Sequence, residues 1–101
     1  MTLSLRMGSS LYRSFQAYCQ GPGKQLNRSQ AFQYLIASYL KAPQIYSPLT
    51  VRELREPMVH AVSLSLPEGL HQQICGFAGE RGLTISQVLR FAVYQELIIN
   101  V

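Results

Sequence analysis

Two short segments of the chain alternate apolar side chains with polar or small ones. In residues 2–7 and again in residues 61–66, every second side chain is apolar, which is the period of a β-strand with one buried face. The intervening side chains include several hydroxyl groups and one guanidinium, which can recognise a partner by hydrogen bonding. We expect the two segments to pair as an antiparallel ribbon with one apolar and one hydrogen-bonding face. The positions of the second face are Thr2, Ser4, Arg6, Ala61, Ser63 and Ser65.

The other reactive side chains form no pattern typical of catalysis or of metal binding. The five acidic residues are scattered glutamates, and no serine lies in a nucleophile-elbow or lysine-paired motif. His71 and Cys75 form an i, i+4 pair on a predicted helix, but a zinc site needs more ligands within reach. We therefore expect a protein that is not an enzyme and that uses no cofactor, metal or small-molecule substrate.

The positive charge of the chain is concentrated in its first half. The formal net charge is +4, from nine Lys and Arg residues and five acidic ones. Residues 1–49 contain five of the basic residues and none of the acidic ones. This distribution favours a polyanionic partner for the first half, and the alternative is a surface that is only solvated.

Length and composition indicate one compact domain. A chain of 101 residues that is 48% hydrophobic can bury a core. No run approaches the roughly 20 apolar residues that cross a bilayer, and the start lacks the charged-then-apolar order of a signal peptide. We expect a cytoplasmic protein with no membrane partner, in which Cys19 and Cys75 are buried free thiols.

Capping signals and apolar spacing predict two helices after the first strand. The first is expected over residues 10–20, with a serine N-cap at its start, and is ended by the Gly-Pro-Gly of residues 21–23. The second is expected over residues 27–41, with Asn27 as its N-cap. The second helix is apolar on more than one stripe, so it is expected to pack against more than one partner.

A segment with three prolines follows and is predicted to be a linker. Residues 42–59 show no sustained apolar period. One short helix is expected within them, over residues 50–55, where Thr50 and Glu53 have the spacing of a capping box.

The order strand, helix, helix then occurs a second time. After the second strand, Leu70 and Ile74 repeat the apolar spacing that follows the first strand. Gly82 is expected to end this helix, and Thr84 is the expected N-cap of the next one. The two copies stay in register apart from an insertion within residues 21–25 of the first. The sequence therefore predicts an internal duplication.

The predicted fold is mainly α, with one intertwined domain made from two units, residues 1–41 and 60–101, joined by the linker 42–59. A lone strand with two short helices cannot enclose a core, whereas two copies can pair their strands and pack their helices together. The helices of the two copies are expected to meet through Phe32, Leu35, Ile36, Leu89, Ala92 and Val93.

The segments Val-Ser-Leu-Ser-Leu-Pro-Glu-Gly-Leu of residues 62–70 and Gly-Leu-Thr-Ile-Ser-Gln-Val of residues 82–88 resemble the ribbon-helix-helix family of DNA-binding proteins, the MetJ, Arc and CopG type. Residues 3–7 and 26–31 of the first copy resemble the same family with a looser first turn. Ordinary members carry one unit per chain and dimerise through the strand. This chain resembles the rarer tandem form, in which one polypeptide carries both units, as in some plasmid-transfer accessory proteins.

The resemblance implies a two-stranded ribbon that enters the major groove of double-stranded DNA, with helix N-termini on the phosphates. By position, the base-contacting residues would be Thr2, Ser4, Arg6, Ala61, Ser63 and Ser65. Among them, Arg6 could contact guanine O6 and N7 bidentately, which contributes roughly 1–3 kcal/mol of discrimination. The implied phosphate-contacting residues are Asn27, Arg28, Ser29, Thr84, Ile85 and Ser86.

The two copies differ in their implied contacts, because Arg6 corresponds to Ser65 and Arg28 corresponds to Ile85. A palindromic site is therefore not required. The function favoured by the resemblance is sequence-specific DNA binding, as a transcriptional regulator or a plasmid-transfer accessory factor, and self-association along DNA stays open. The alternative is a protein-interaction module, antitoxin-like or an assembly subunit, that keeps the fold and does not bind DNA.

Overall fold

The computed structural model describes residues 2–21 and 27–100. These residues form two antiparallel strands, five α-helices and a π-helical segment, so the mainly α class is confirmed. The predicted insertion of residues 21–25 lies almost wholly outside the described residues. In chain order the elements are β1 Thr2–Met7, α1 Ser9–Cys19, α2 Arg28–Lys41, α3 Arg52–Arg55, β2 His60–Ser65, α4 Glu68–Arg81, α5 Ile85–Tyr94 and the π-helical segment Gln95–Ile99.

The predicted ribbon is confirmed, with its second strand one residue earlier than expected. Ser4 lies opposite Ser63 at the centre of the antiparallel pairing, and Met7 pairs with His60 at one end. Beyond the last pair the chain turns at Pro67, which precedes α4, although Leu66 is still buried. The apolar face is confirmed too, because the side chains of Leu5, Met7, Val62, Leu64 and Leu66 are at most 2% exposed.

The start of α1 differs from the prediction. Its N-cap residue is Gly8, which has no side chain to cap the helix, and the predicted serine cap is wrong. Instead, the carboxylate of Glu56 accepts hydrogen bonds from the Ser10 N–H at 2.9 Å and from the Ser10 hydroxyl at 2.8 Å. A Cβ at residue 8 would lie 2.8 Å from the Glu56 Cβ, so glycine allows this close approach. A carboxylate also interacts favourably with the positive end of a helix dipole.

The linker contains the expected short helix, but its predicted capping box is wrong. The N-cap of α3 is Val51, which makes no side-chain cap. Thr50 instead donates its hydroxyl to the Ser47 carbonyl at 3.3 Å, as part of a turn that precedes the helix. Val51 and Leu54 are buried in the core. The predicted linker therefore contributes to the core.

The junction between α4 and α5 follows the sequence signals closely. Gly82 ends α4 in a left-handed conformation with φ of 66°, and the Leu83 N–H returns to the Ala78 carbonyl at 2.8 Å, the bond of a Schellman motif. Thr84 then caps α5 in a capping box: its hydroxyl accepts from the Gln87 N–H at 3.1 Å, and the Gln87 side chain accepts from the Thr84 N–H at 2.8 Å.

One core lies between the apolar ribbon face and the helices. Phe15 of α1 packs on Phe32 of α2 with ring centroids 4.6 Å apart, and both side chains are fully buried. Full burial of an apolar side chain of this size stabilises the fold by about 1.5–3 kcal/mol. The residues expected to join the two copies all belong to this core: Phe32, Leu35, Ile36, Leu89, Ala92 and Val93.

The C-terminal segment fixes the start of the linker. Gln95 is buried, accepts a hydrogen bond from the Tyr46 hydroxyl at 2.8 Å and donates one to the Ala42 carbonyl at 2.9 Å. The Tyr39 hydroxyl donates to the Gln44 carbonyl at 2.6 Å, and burial raises the pKa of Tyr39 to about 12. These contacts hold the first residues of the linker against α2 and the C-terminal segment.

The two cysteines are free, and the expectation that both are buried is wrong. Cys19 is half-buried, and desolvation raises the pKa of its thiol. Cys75 is exposed, because Ile74 and Ala78 direct the apolar face of α4 into the core and Cys75 lies outside that face. In the described ranges, no helix combines the length and apolar character needed to cross a membrane.

Candidate nucleic-acid interface

The outer face of the ribbon is exposed along its whole length. We call this surface, formed by the six positions of the hydrogen-bonding face, the ribbon face. In the observed register Arg6 lies opposite Ala61, Ser4 opposite Ser63 and Thr2 opposite Ser65. All six of these residues are exposed: Thr2, Ser4, Arg6, Ala61, Ser63 and Ser65.

The ribbon face carries one positive charge, at Arg6. No salt bridge of this guanidinium is found within residues 2–21 and 27–100. Its backbone carbonyl, by contrast, accepts a hydrogen bond from Nη1 of Arg90 in α5 at 3.1 Å. Arg6 therefore has an exposed side chain, while its backbone carbonyl is hydrogen-bonded to α5.

The N-terminus of α2 lies against β2, the strand from the other half of the chain. Asn27 caps the helix through its side-chain oxygen, which accepts from the Gln30 N–H at 2.8 Å, as predicted. The Ser29 hydroxyl oxygen accepts from the Ser65 N–H at 2.8 Å, so the first turn of α2 is fixed to the end of β2. The Ser29 hydroxyl still has its own proton to donate. Helix geometry also leaves the N–H groups of Arg28 and Ser29 without an intrahelical acceptor.

The N-terminus of α5 has the same kind of free donors. Its capping box uses the N–H groups of Thr84 and Gln87. The N–H groups of Ile85 and Ser86, in the first turn, have no intrahelical acceptor by geometry. With the positive end of the helix dipole, two such groups are suited to bind an anion.

A polar cluster next to the ribbon includes residues that sequence reasoning did not place at the site. Tyr12 of α1 stacks on His60 with ring centroids 4.2 Å apart and planes 3° from parallel. The Tyr12 hydroxyl accepts from Gln16 at 3.0 Å and from Arg28 at 3.4 Å. The His60 ring also lies 3.2 Å from the Ser9 hydroxyl. Arg28 is thereby connected to the ribbon end where Met7 and His60 pair.

Arg90 is a further residue that the sequence did not place at the site. It lies on α5 between apolar positions and contacts a carbonyl 84 residues earlier in the chain. Partial burial lowers the pKa of its guanidinium, and no carboxylate pairs with it in the part of the chain that the structure describes. No local sequence pattern could have identified this contact.

His71 and Cys75 lie next to each other on α4. The Cys75 sulfur lies 3.7 Å from both ring nitrogens of His71. Glu68 and Gln72 line the same shallow groove on α4. Within the described residues, however, no group of three or more His, Cys, Asp or Glu side chains could hold a metal ion.

Comparisons with known protein families, with characterised proteins and with solved structures found no match to this chain.

Proposed function

We propose that this protein is a sequence-specific double-stranded DNA-binding protein that reads the major groove with its two-stranded ribbon. The observation that carries the proposal is an exposed hydrogen-bonding ribbon face with a helix N-terminus fixed to its end through Ser29 and Ser65. In this proposal the chain is a tandem ribbon-helix-helix protein, an internal duplication in which one polypeptide supplies both strands. It acts in the cytoplasm as a transcriptional regulator or a plasmid-transfer accessory factor.

The size of the ribbon supports the proposal. Paired strands lie about 4.8 Å apart. The major groove of B-DNA is about 12 Å wide and admits a two-stranded ribbon with its side chains. The six exposed side chains include no large apolar group that would oppose entry into a polar groove.

Four side chains of the ribbon face have chemistry suited to reading bases. Arg6 donates two hydrogen bonds to guanine O6 and N7, and the hydroxyls of Ser4 and Ser63 donate to or accept from base edges. Ala61, opposite Arg6, can contact a thymine methyl group without blocking the guanidinium. Arg6 therefore provides most of the base discrimination.

The helix N-termini position the ribbon on the DNA backbone. The free N–H groups of Arg28 and Ser29 in α2, and of Ile85 and Ser86 in α5, bind phosphate oxygens in this proposal. The absence of acidic residues from residues 1–49 favours approach to a polyanion.

Selection from a randomised duplex library, followed by fluorescence anisotropy over a series of salt concentrations, tests the proposal. A DNA-reading protein yields a preferred sequence, and its log affinity falls with log salt by roughly 0.9 per phosphate neutralised. A protein-interaction module with the same fold yields no preferred sequence and no duplex affinity above background at moderate salt, which would refute the proposal.

A further inference from the structure

A two-stranded ribbon has two open edges. In an antiparallel pair, the N–H and C=O groups of alternate residues point away from the partner strand and need other partners. Here one outward group on each strand is held by a helix: the Ser65 N–H by the Ser29 hydroxyl at 2.8 Å, and the Arg6 carbonyl by the Arg90 guanidinium at 3.1 Å. Arg6 and Ser65 occupy corresponding positions in the two copies.

The two contacts differ in the charge of their donors. The Ser29 contact is a neutral hydrogen bond, whereas the Arg90 contact has a charged donor, and charge-assisted hydrogen bonds are roughly twice as strong as neutral ones. The strand with the charged contact is also the strand that bears the one long hydrogen-bond donor of the ribbon face, Arg6.

Arg90 lies between two buried residues of α5. Its neighbours Leu89 and Phe91 on α5 are at most 4% exposed, so the helix is anchored in the core on both sides of Arg90. The guanidinium is half-buried, and partial burial of a charge is unfavourable unless hydrogen bonds compensate. This arrangement favours a persistent contact with the Arg6 carbonyl over a solvated Arg90 side chain.

We propose that Arg90 is a positioning residue for base recognition: it holds the Arg6 carbonyl and thereby fixes the direction in which the Arg6 side chain projects from the ribbon face. This inference rests on the proposed function. A contact that fixes the backbone of a reading residue affects which base is preferred, whereas a phosphate contact affects all sequences alike.

Arg90→Met tests the inference, since methionine keeps an apolar stem and removes every donor. The measurement is the ratio of affinities for the selected duplex and for duplexes substituted at the base pair that Arg6 reads. We expect this ratio to fall several-fold, with the loss in Arg6→Ala as its upper limit. In an Arg6→Ala background, Arg90→Met should change the ratio no further, because Arg90 acts through Arg6. Arg52→Met, which removes an exposed charge from α3, is the matched control and should leave the ratio unchanged.

Arg90→Lys keeps the positive charge but replaces the planar guanidinium by a single ammonium group. It should retain part of the base discrimination, and it provides a second test if Arg90→Met folds poorly. The inference is overturned if Arg90→Met weakens all duplexes equally and lowers the salt slope by about one, because Arg90 would then be a phosphate contact. It is also overturned if Arg90→Met lowers the ratio equally with and without Arg6. Absence of base discrimination in the unaltered protein is a different result, which refutes the proposed function itself.

Discussion

Arg6 is exposed on the ribbon face while its backbone is part of the paired strand. Replacing Arg6 by alanine should relax base preference, with a loss of roughly 1–3 kcal/mol in discrimination, because a bidentate contact to guanine is removed. The thermal midpoint should change little, since substitutions of exposed side chains usually alter stability by less than about 0.5 kcal/mol. Affinity measurements on single-base variants of the selected site check the loss of base preference, and calorimetry checks the thermal midpoint.

Arg13→Ala is the control for this substitution, because Arg13 is an exposed arginine of α1 outside the ribbon face. It should leave the base preference intact. A large loss of stability in Arg6→Ala with unchanged discrimination would assign Arg6 to the fold and not to recognition.

Glu56 is a residue whose stabilising contact depends on pH. Hydrogen bonds from the Ser10 N–H and hydroxyl hold the pKa of Glu56 below its ordinary range. The folded-state pKa is thus lower than the unfolded-state pKa, so the contact stabilises the protein above the unfolded-state pKa and is lost as the pH falls through the folded-state value.

Glu56→Gln should therefore lower the thermal midpoint at neutral pH and reduce the loss of stability on acidification. Thermal unfolding from neutral to acidic pH measures both. Glu80→Gln, at an exposed glutamate beside Arg81, is the charge-matched control. An equal pH dependence in the unaltered protein and in Glu56→Gln would show that the carboxylate does not cap α1.

Two glycines of the α4 region should differ in how their replacement by alanine changes stability: one substitution should destabilise the protein and the other should stabilise it. Gly82 has φ of 66°, where a Cβ costs about 1–2 kcal/mol, so Gly82→Ala should destabilise the protein by that amount. Gly76 lies within α4, and beyond the adjacent backbone of the helix a Cβ at this position would meet no atom within 4 Å, so Gly76→Ala should stabilise the protein by about 0.5–1 kcal/mol. Urea unfolding of the two variants measures both changes in the free energy of unfolding. Changes of the same sign would contradict the assignment of the end of α4 to Gly82.

The elements that sequence predicted best are those whose signals are local. Alternation predicted β1, and the caps Asn27 and Thr84 with the stop at Gly82 predicted the starts of α2 and α5 and the end of α4. These signals involve residues within one turn of each other. A local pattern was sufficient because the contacts that fix these boundaries are themselves local.

Two of the features that the sequence did not predict are contacts between distant residues. The start of α1 depends on Glu56, which lies 46 residues from Ser10. The contact between Arg90 and the Arg6 carbonyl spans 84 residues. The six positions of the ribbon face could be predicted from alternation, but what holds the ribbon from the side could not, because no periodicity encodes a tertiary hydrogen bond.

At the scale of the whole molecule, both halves contribute to one body. The Cα radius of gyration is 12.7 Å, close to the ~13 Å expected for a single domain of about 100 residues. One core cluster includes buried residues from α1, α2, the linker, α4 and α5. The two halves should therefore unfold together.

Phe15→Ala and Ile74→Ala test this cooperativity from opposite halves of the chain. Both side chains are at most 1% exposed, so the expected losses are about 3–5 kcal/mol for Phe15→Ala and about 2–5 kcal/mol for Ile74→Ala. Hydrogen exchange should show the same loss of opening free energy in β1 and β2 for each variant. Loss confined to the half that carries the substitution would show two independent units.

Modified bases in the selected duplex distinguish a ribbon face that reads the major groove from one that reads the minor groove. Replacing the guanine read by Arg6 with 7-deazaguanine removes the N7 acceptor from the major groove, and replacing it with inosine removes the amino group from the minor groove. If Arg6 reads guanine in the major groove, 7-deazaguanine should weaken binding by the unaltered protein, inosine should not, and Arg6→Ala should be insensitive to 7-deazaguanine. Weaker binding to the inosine duplex with no effect of 7-deazaguanine would show that the ribbon face does not read the major groove.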